Sequence, residues 1–210
     1  MKKLFLITIL ITGNLLAGLA QNQYEKGMQQ ALQLWQSQKP MEAIGLFERI
    51  ASAEKENWLP NYYVGLVLTT QVFSNRDKSQ AEAMLTKAQK HLDIAQKKSP
   101  KNSELLCLQG FINTAKITLD PMTNGQKLSQ ATIETYKKAI QLDPNNPRAL
   151  YLLAEFQINM AKFFGSDTTE YYEMIIKSLE KFNTFKAPEA FYPNWGAERA
   201  KQILANRNGN

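Results

Sequence analysis

The stretch from residue 128 to residue 157 constrains the fold of this chain more than any other part of the sequence. Thr132, Tyr136 and Ala139 follow one another at spacings of four and three, so they share one face of a helix. Pro144 comes five residues after Ala139, and a residue that precedes proline disfavours the helical conformation. The pattern therefore predicts an amphipathic helix that ends at this proline.

A second helix is predicted to begin directly after that turn. Asn146 is a favourable N-cap, and Pro147 suits the first helical position because an amide there would have no partner. Small residues then recur at corresponding places along the chain. They are Ala31, Gly65, Gly110 and Ala154, separated by 34, 45 and 44 residues. We expect these four residues, together with Ala88 and Ala139, to be contact points between neighbouring helices.

The order of small, aromatic and proline residues resembles the tetratricopeptide repeat. Ala88, Leu92, Ala95 and Pro100 reproduce the same spacing with leucine in the aromatic place. The resemblance implies an all-α, tetratricopeptide-like solenoid of about four helical hairpins plus a C-terminal capping helix. The expected layout is one domain over residues 21–210, with repeats at about 24–57, 58–102, 103–146 and 147–192 and a cap at 193–206.

The second and third hairpins are longer than the first. From the small residue of the first helix to the matching residue of the second helix, the separation is 12 residues in the first hairpin, 23 in the second and 22 in the third. The added length is close to three helical turns, so the inward face stays in phase. We expect the longer hairpins to project from one edge of the stack, and residues 120–125 to form an irregular connection.

The first 20 residues have the layout of a secretory signal peptide. Two lysines give a positive start, a mostly apolar stretch follows, and small residues precede the predicted cleavage site near Ala20. The apolar stretch is shorter than the roughly 20 residues of a membrane-spanning helix. We therefore predict an exported chain, periplasmic or secreted, with no stable membrane span after cleavage. Cys107 lies far from the cleavage site, so a lipoprotein is not expected.

The charge balance argues against nucleic acid as a partner. The chain has 25 Lys and Arg against 19 Asp and Glu, a net charge of +6, and two of these charges belong to the predicted signal peptide. The basic residues are mixed with glutamate and glutamine along helical patterns, which is typical of solvated helix faces. A single cysteine cannot form an intrachain disulfide. A hydrophobic core therefore has to stabilise the fold.

The sequence offers little material for catalysis or metal binding. The single histidine, His91, cannot supply a two-histidine zinc motif, and Cys107 has no neighbouring cysteine. The sequence contains no glycine-rich phosphate loop, nucleophile elbow or acidic calcium loop. We expect His91 at the surface or boundary of the fold and Cys107 as a small apolar contact. The prediction is a protein that is not an enzyme and needs no cofactor or metal ion.

The resemblance also implies a ligand-facing groove on the concave face of the stacked first helices. The positions that it indicates are Met28, Leu32, Trp35, Leu59, Tyr62, Leu66, Cys107, Phe111, Arg148, Tyr151 and Glu155. Two interpretations stay open. Either the groove holds a hydrophobic or extended peptide, with Tyr62, Phe111 and Tyr151 as anchors, or the C-terminal segment around residues 191–195 folds back and fills it.

The function predicted from these features is a non-catalytic protein–protein interaction scaffold of the cell envelope. It would bind a protein or peptide partner of unknown identity on its concave face. The alternative is a helical accessory subunit that docks on an envelope membrane-protein complex through its long hairpins. An enzyme without a recognisable motif is the third option, because carboxylates distant in sequence can still converge in space.

Overall fold

The computed structural model describes residues 21–209, and over that range the fold is all-α, with no strand. The helices are α1 (residues 21–36), α2 (Pro40–Ala53), α3 (Leu59–Val72), α4 (Lys78–Lys98), α5 (Ser103–Leu119), α6 (Pro121–Leu142), α7 (Pro147–Phe163), α8 (Thr169–Thr184) and α9 (Ala197–Ala205), followed by a 3₁₀ turn (Asn206–Gly209). The predicted fold class is confirmed. The predicted signal peptide over residues 1–20 lies outside the described residues.

The helices form hairpins that stack side by side as a solenoid. Short turns join α1 to α2, α3 to α4, α5 to α6 and α7 to α8, and each helix from α2 onward packs against the next. The first helices of successive hairpins also touch, since α3 contacts α5 and α5 contacts α7. We call the face formed by α1, α3, α5 and α7 the inner face. The terminal helix α9 packs against α8 and α7 at the end of the row.

Helix α7 begins where the sequence predicts. The side-chain oxygen of Asn146 accepts a hydrogen bond from the Arg148 amide at 2.9 Å, and Pro147 is the first helical residue. Asn102 caps α5 in the same way by accepting a hydrogen bond from the Glu104 amide at 2.9 Å. Each cap satisfies an amide that has no partner inside the helix.

The expected irregular connection over residues 120–125 is wrong. The carboxylate of Asp120 accepts a hydrogen bond from the Thr123 amide at 3.1 Å, and Pro121 is the first residue of α6. An aspartate cap followed by proline therefore starts a helix here, and Gly125 is tolerated inside it. The added length of the long hairpins lies in the helices, since α4 has 21 residues and α6 has 22, against 14 in α2.

The recurring small residues lie inside the stack. All are buried: Ala31, Gly65, Ala88, Gly110, Ala139 and Ala154. A Cβ atom on Gly65 would lie 3.0 Å from Cδ2 of Leu108 and 3.4 Å from the carbonyl oxygen of Ala88. A Cβ atom on Gly110 would lie 2.3 Å from the ring of Tyr136. The helices that pack at Gly65 and Gly110 can therefore approach so closely only because glycine has no Cβ atom.

The expected C-terminal capping helix is α9, and a non-helical stretch precedes it. Residues 185–196 are non-helical, and we call them the C-terminal segment. Pro188 and Pro193 disfavour the helical conformation at the residues before them, so neither α8 nor α9 continues through this segment. Gly196, with φ +107°, directly precedes that helix. None of the described helices combines the length and the apolar character needed to cross a membrane.

Candidate functional site

A buried ion pair joins the third hairpin to the fourth. The Arg148 Nε donates to both carboxylate oxygens of Glu104, at 2.9 and 2.8 Å, and Nη2 donates to Oε1 at 2.7 Å. Both side chains are fully buried. Burial raises the pKa of the Glu104 carboxyl, and the guanidinium acts in the opposite direction. Removing either residue would leave the other as an unpaired buried charge, so the pair ties α5 to α7.

Neighbouring groups complete this polar centre. Asn146 Nδ2 donates to Glu104 Oε1 and to Ser103 Oγ, both at 2.7 Å. The guanidinium carbon of Arg148 lies 4.8 Å from the ring centroid of Phe185, so the C-terminal segment covers the cation. The sequence contained a signal for this pair that our sequence analysis missed. Glu104 and Arg148 each stand six positions before the small residue of their own repeat.

The C-terminal segment lies across one end of the inner face. The indole of Trp195 donates a hydrogen bond to the Tyr62 hydroxyl at 2.8 Å. The Tyr63 hydroxyl donates to the carbonyl oxygen of Phe191, also at 2.8 Å. The Phe191 ring meets the Tyr24 ring edge to face, with 5.8 Å between their centroids. At this end of the face, the segment fills the groove, as the second interpretation of the sequence proposed.

Several residues expected to face a groove are enclosed instead. They are Met28, Leu59, Tyr62, Arg148 and Cys107, each at most 1% exposed and none of them in the lining of the cavity described below. The first two pack in the core with the hairpin residues around them, Tyr62 lies under Trp195, and Arg148 is paired with Glu104. Leu32 is half-buried against the same core. The expectation of an open surface at these positions is therefore corrected.

Beside the C-terminal segment, the inner face retains a cavity of about 560 Å³. Seven aromatic residues line it: Trp35, Phe73, Phe111, Tyr136, Tyr151, Phe156 and Trp195. The Phe111 ring has its centroid 5.2 Å from that of Phe73 and 5.8 Å from that of Trp195, so three rings form one wall. Of the expected groove residues, five line this cavity: Trp35, Leu66, Phe111, Tyr151 and Glu155.

One ion pair lies at the edge of the cavity. The lining contains two charged residues, Glu155 on α7 and Arg199 on α9. Arg199 Nε donates a hydrogen bond to Oε1 of Glu155 at 2.8 Å, and Nη2 lies 2.7 Å from the same oxygen. Burial raises the pKa of the Tyr151 phenol well above its ordinary value, and the Glu155 carboxylate acts in the same direction. Tyr151 therefore contributes a neutral hydroxyl to the cavity wall, which also contains the polar side chains of Thr70, Thr114, Thr118 and Asn159.

The single histidine and the single cysteine lie outside the cavity. His91 is half-buried, with Nδ1 2.8 Å from Oδ1 of Asn61 and Nε2 3.2 Å from Oε1 of Glu48. Burial lowers its pKa, and the Glu48 carboxylate opposes that shift. Cys107 is fully buried in the core of the third and fourth hairpins. Within residues 21–209, no group of three or more His, Cys, Asp or Glu side chains could hold a metal ion.

The family described as TPR repeat matches residues 126–158, the stretch on which the sequence interpretation was based. This match bears out the resemblance to the tetratricopeptide repeat over that stretch. No curated protein matches the chain.

Comparison with solved structures gives similarities at low sequence identity. The HusA haemophore from Porphyromonas gingivalis is 23% identical, with a TM-score of 0.77 over 89% of this chain and 93% of that chain. A thermophilic TPR protein from Thermus thermophilus is 15% identical, with a TM-score of 0.45 over 87% of this chain and 99% of that chain.

Proposed function

We propose that this protein with tetratricopeptide repeats is a non-catalytic binding protein whose inner-face cavity holds a flat, mostly apolar ligand of the haem class. The observation that carries the proposal is the aromatic cavity beside Trp195. Its volume of about 560 Å³ lies within the roughly 300–1,000 Å³ of small-molecule sites. An extended peptide needs a long open groove, and the C-terminal segment occupies one end of this face. The cavity therefore suits a compact ligand better than a peptide.

The shape of the wall favours a planar ligand. The rings of Phe73, Phe111 and Trp195 pack on one another, with centroids 5.2 and 5.8 Å apart and interplanar angles of 29° and 36°, and a continuous aromatic surface packs favourably against flat conjugated molecules. The fold similarity to a haemophore supports haem as the first ligand to test. That similarity concerns the fold, so the ligand is inferred from the cavity itself.

The lining favours recognition of the macrocycle over strong coordination of its iron. Histidine, cysteine and methionine are missing from the described lining residues, and they are the usual axial ligands together with tyrosine. The phenols of Tyr136 and Tyr151 have raised pKa values because both are buried. A phenol held in its neutral form is a poor iron ligand. We therefore expect iron-free protoporphyrin to bind about as well as haem.

The test is a titration of the purified chain with haem, followed by visible absorption and by quenching of tryptophan fluorescence. Phe111→Ala and Trp195→Ala are each expected to weaken binding about tenfold or more, since each removes a ring from the wall. Phe163→Ala is the matched control, because Phe163 is 77% exposed and lies outside the lining. Thermal unfolding of each variant separates lost binding from lost folding. The absence of saturable binding by the unaltered chain would refute the proposal.

A second candidate function uses the edge where the two helices of each hairpin meet. Five of the seven large hydrophobic side chains exposed in the described part of the chain lie within two residues of these turns: Met41, Phe73, Met122, Phe163 and Phe164. An ion pair from Lys78 to Asp120, with Nζ 2.9 Å from Oδ2, joins two of the turns. Apolar side chains gathered on one edge favour an interaction with another protein. This edge is where an accessory subunit of an envelope complex would dock.

The experiment for this second function is cross-linking in the envelope fraction of the native host. Truncating the connection between α5 and α6 is not a usable test, because residues 121–130 belong to α6 and their deletion would unfold this helix. Point substitutions are the better test. Phe163→Glu with Phe164→Glu is expected to abolish a cross-link to a specific protein, whereas Ile176→Glu, at an exposed position within α8, is expected to leave it intact. Cross-links that persist in both variants would exclude the edge as the docking site.

Export from the cytoplasm is part of the same proposal. It is supported by the signal-peptide layout of residues 1–20. Expression of the full chain in a bacterial host, followed by fractionation and mass determination, is expected to yield an exported product that begins at Gln21. A full-length product retained in the cytoplasm would contradict this expectation.

A further inference from the structure

We propose that Arg199 recognises an acidic group of the ligand at the mouth of the inner-face cavity, and that the ligands are therefore planar apolar molecules that carry a carboxylate. This inference rests on the proposed function of the cavity. The lining contains one basic side chain, that of Arg199, and one acidic side chain, that of Glu155. An anionic group on a ligand within the cavity has this single cation to pair with.

The geometry of the ion pair leaves Arg199 able to bind a second anion. Its contacts with Glu155 are made by Nε, which donates a hydrogen bond, and by Nη2, and both contacts end on the same carboxylate oxygen. The outer nitrogen, Nη1, is not engaged by Glu155. A guanidinium presents five donors in a planar fork that matches a carboxylate. Glu155 and the Tyr151 hydroxyl, which also hydrogen-bonds the Arg199 side chain, therefore use only part of this capacity.

Exposure places Arg199 at the mouth of the cavity. Its side chain is 56% exposed, whereas that of Glu155 is 18% exposed. Glu155 thus fixes the guanidinium from the inner side, and the outer side remains open to water and to a ligand. A ligand carboxylate at this position stays hydrated while the flat apolar body enters between the rings. This arrangement avoids the large cost of burying a free carboxylate.

The C-terminal end of the chain supplies both parts of this recognition. Trp195 contributes one ring of the wall, and Arg199 comes four residues later, in the first turn of α9. Gly196 lies between them with φ +107°, and a Cβ atom there would lie 2.9 Å from the Phe182 ring and 3.3 Å from the Tyr151 ring. The glycine therefore lets the backbone turn close against α7 and α8. That turn directs Trp195 and Arg199 to the same cavity.

The test compares two ligands that differ only in their acidic groups, protoporphyrin IX and its dimethyl ester. Arg199→Gln is expected to weaken binding of the diacid about tenfold or more and to leave binding of the diester within about twofold, since only the diacid loses a charged partner. Arg199→Lys is expected to lie between the two for the diacid, because it keeps the charge but loses the planar fork.

Lys201→Gln is the matched control for a lost positive charge on the same helix. Lys201 pairs with Glu198 and lies outside the cavity lining, so the variant is expected to bind both porphyrins as the unaltered chain does. Equal affinity of Arg199→Gln and the unaltered chain for the diacid would overturn the inference while leaving the proposed function intact. An equal loss for diacid and diester would also overturn it, since it would indicate a steric role. Failure of the unaltered chain to bind either porphyrin would refute the proposed function itself.

Discussion

The ring of Tyr136 occupies the space that a side chain on Gly110 would need. A Cβ atom built on Gly110 would lie 2.3 Å from Cε1 and 2.6 Å from Cζ of that ring. The Tyr136 hydroxyl lies 3.2 Å from the Thr114 hydroxyl one turn further along α5. The Tyr136 ring of α6 therefore packs directly against the α5 backbone at Gly110, and this contact joins the two helices of the third hairpin. The same ring forms part of the cavity wall.

Gly110→Ala is expected to lower the free energy of unfolding by about 1–3 kcal/mol, because the added methyl group forces the Tyr136 ring to shift. Chemical denaturation measures the change. Gly45→Ala is the control, since Gly45 lies in α2 with no atom within 4 Å of a Cβ atom built there. That variant is expected to gain about 0.5–1 kcal/mol from a better helix former. If both substitutions change stability in the same direction, the close contact is not what makes Gly110 necessary.

Glu104→Gln is expected to destabilise the fold by about 3–5 kcal/mol, because it leaves the guanidinium of Arg148 buried without a counter-charge. Replacing both residues by apolar side chains, Glu104→Leu with Arg148→Met, is expected to recover much of that loss. Equilibrium unfolding in urea measures the free energy of unfolding of Glu104→Gln, of the single variants Glu104→Leu and Arg148→Met, and of the double variant. A double variant as unstable as the sum of the two single variants would show that the charges do not act as a pair.

Tyr62→Phe is expected to cost about 1 kcal/mol, because it removes the acceptor of the Trp195 indole bond and keeps the ring. Tyr62→Ala is expected to cost about 3–5 kcal/mol, because it leaves a cavity where a fully buried ring was. Limited proteolysis of Tyr62→Phe is expected to cut faster within residues 185–196. Equal stabilities for the two variants would mean that the ring contributes little to the core.

His91 is expected to make the fold less stable as the pH falls below about 6.5. Burial lowers the pKa of the folded state below the 6.5 of an ordinary histidine; Lys87 and Lys90 act in the same direction, and Glu48 opposes them. The unfolded chain then binds more protons than the folded chain between these two pKa values. Stability from this residue is complete above 6.5 and is lost as the pH falls toward the lowered value.

His91→Gln removes the titrating ring and can still hydrogen-bond the Asn61 side chain. Its melting temperature is expected to vary less than that of the unaltered chain between about pH 7.5 and about pH 5.5. Melting curves recorded across this range for both proteins provide the measurement. Parallel pH profiles would show that His91 does not titrate differently in the two states.

Repeat periodicity predicted much of the site and missed specific parts of it. Leu66, Phe111 and Glu155 each follow the small residue of their repeat by one position, and all three line the cavity. Phe73 lies just beyond the end of α3, and Arg199 lies outside the repeats. No spacing rule reaches such positions.

The sequence by itself determined the local structure of this protein: the helical class, the N-caps and proline turns that divide the hairpins, and the small residues where helices meet. These features depend on residues close together along the chain, whose geometry is set by backbone sterics and amide capping. The tertiary structure alone decided how much of the inner face is open. That outcome depends on contacts such as the bond from Trp195 to Tyr62, which joins residues 133 positions apart. Their formation is decided by how the whole stack brings distant surfaces together.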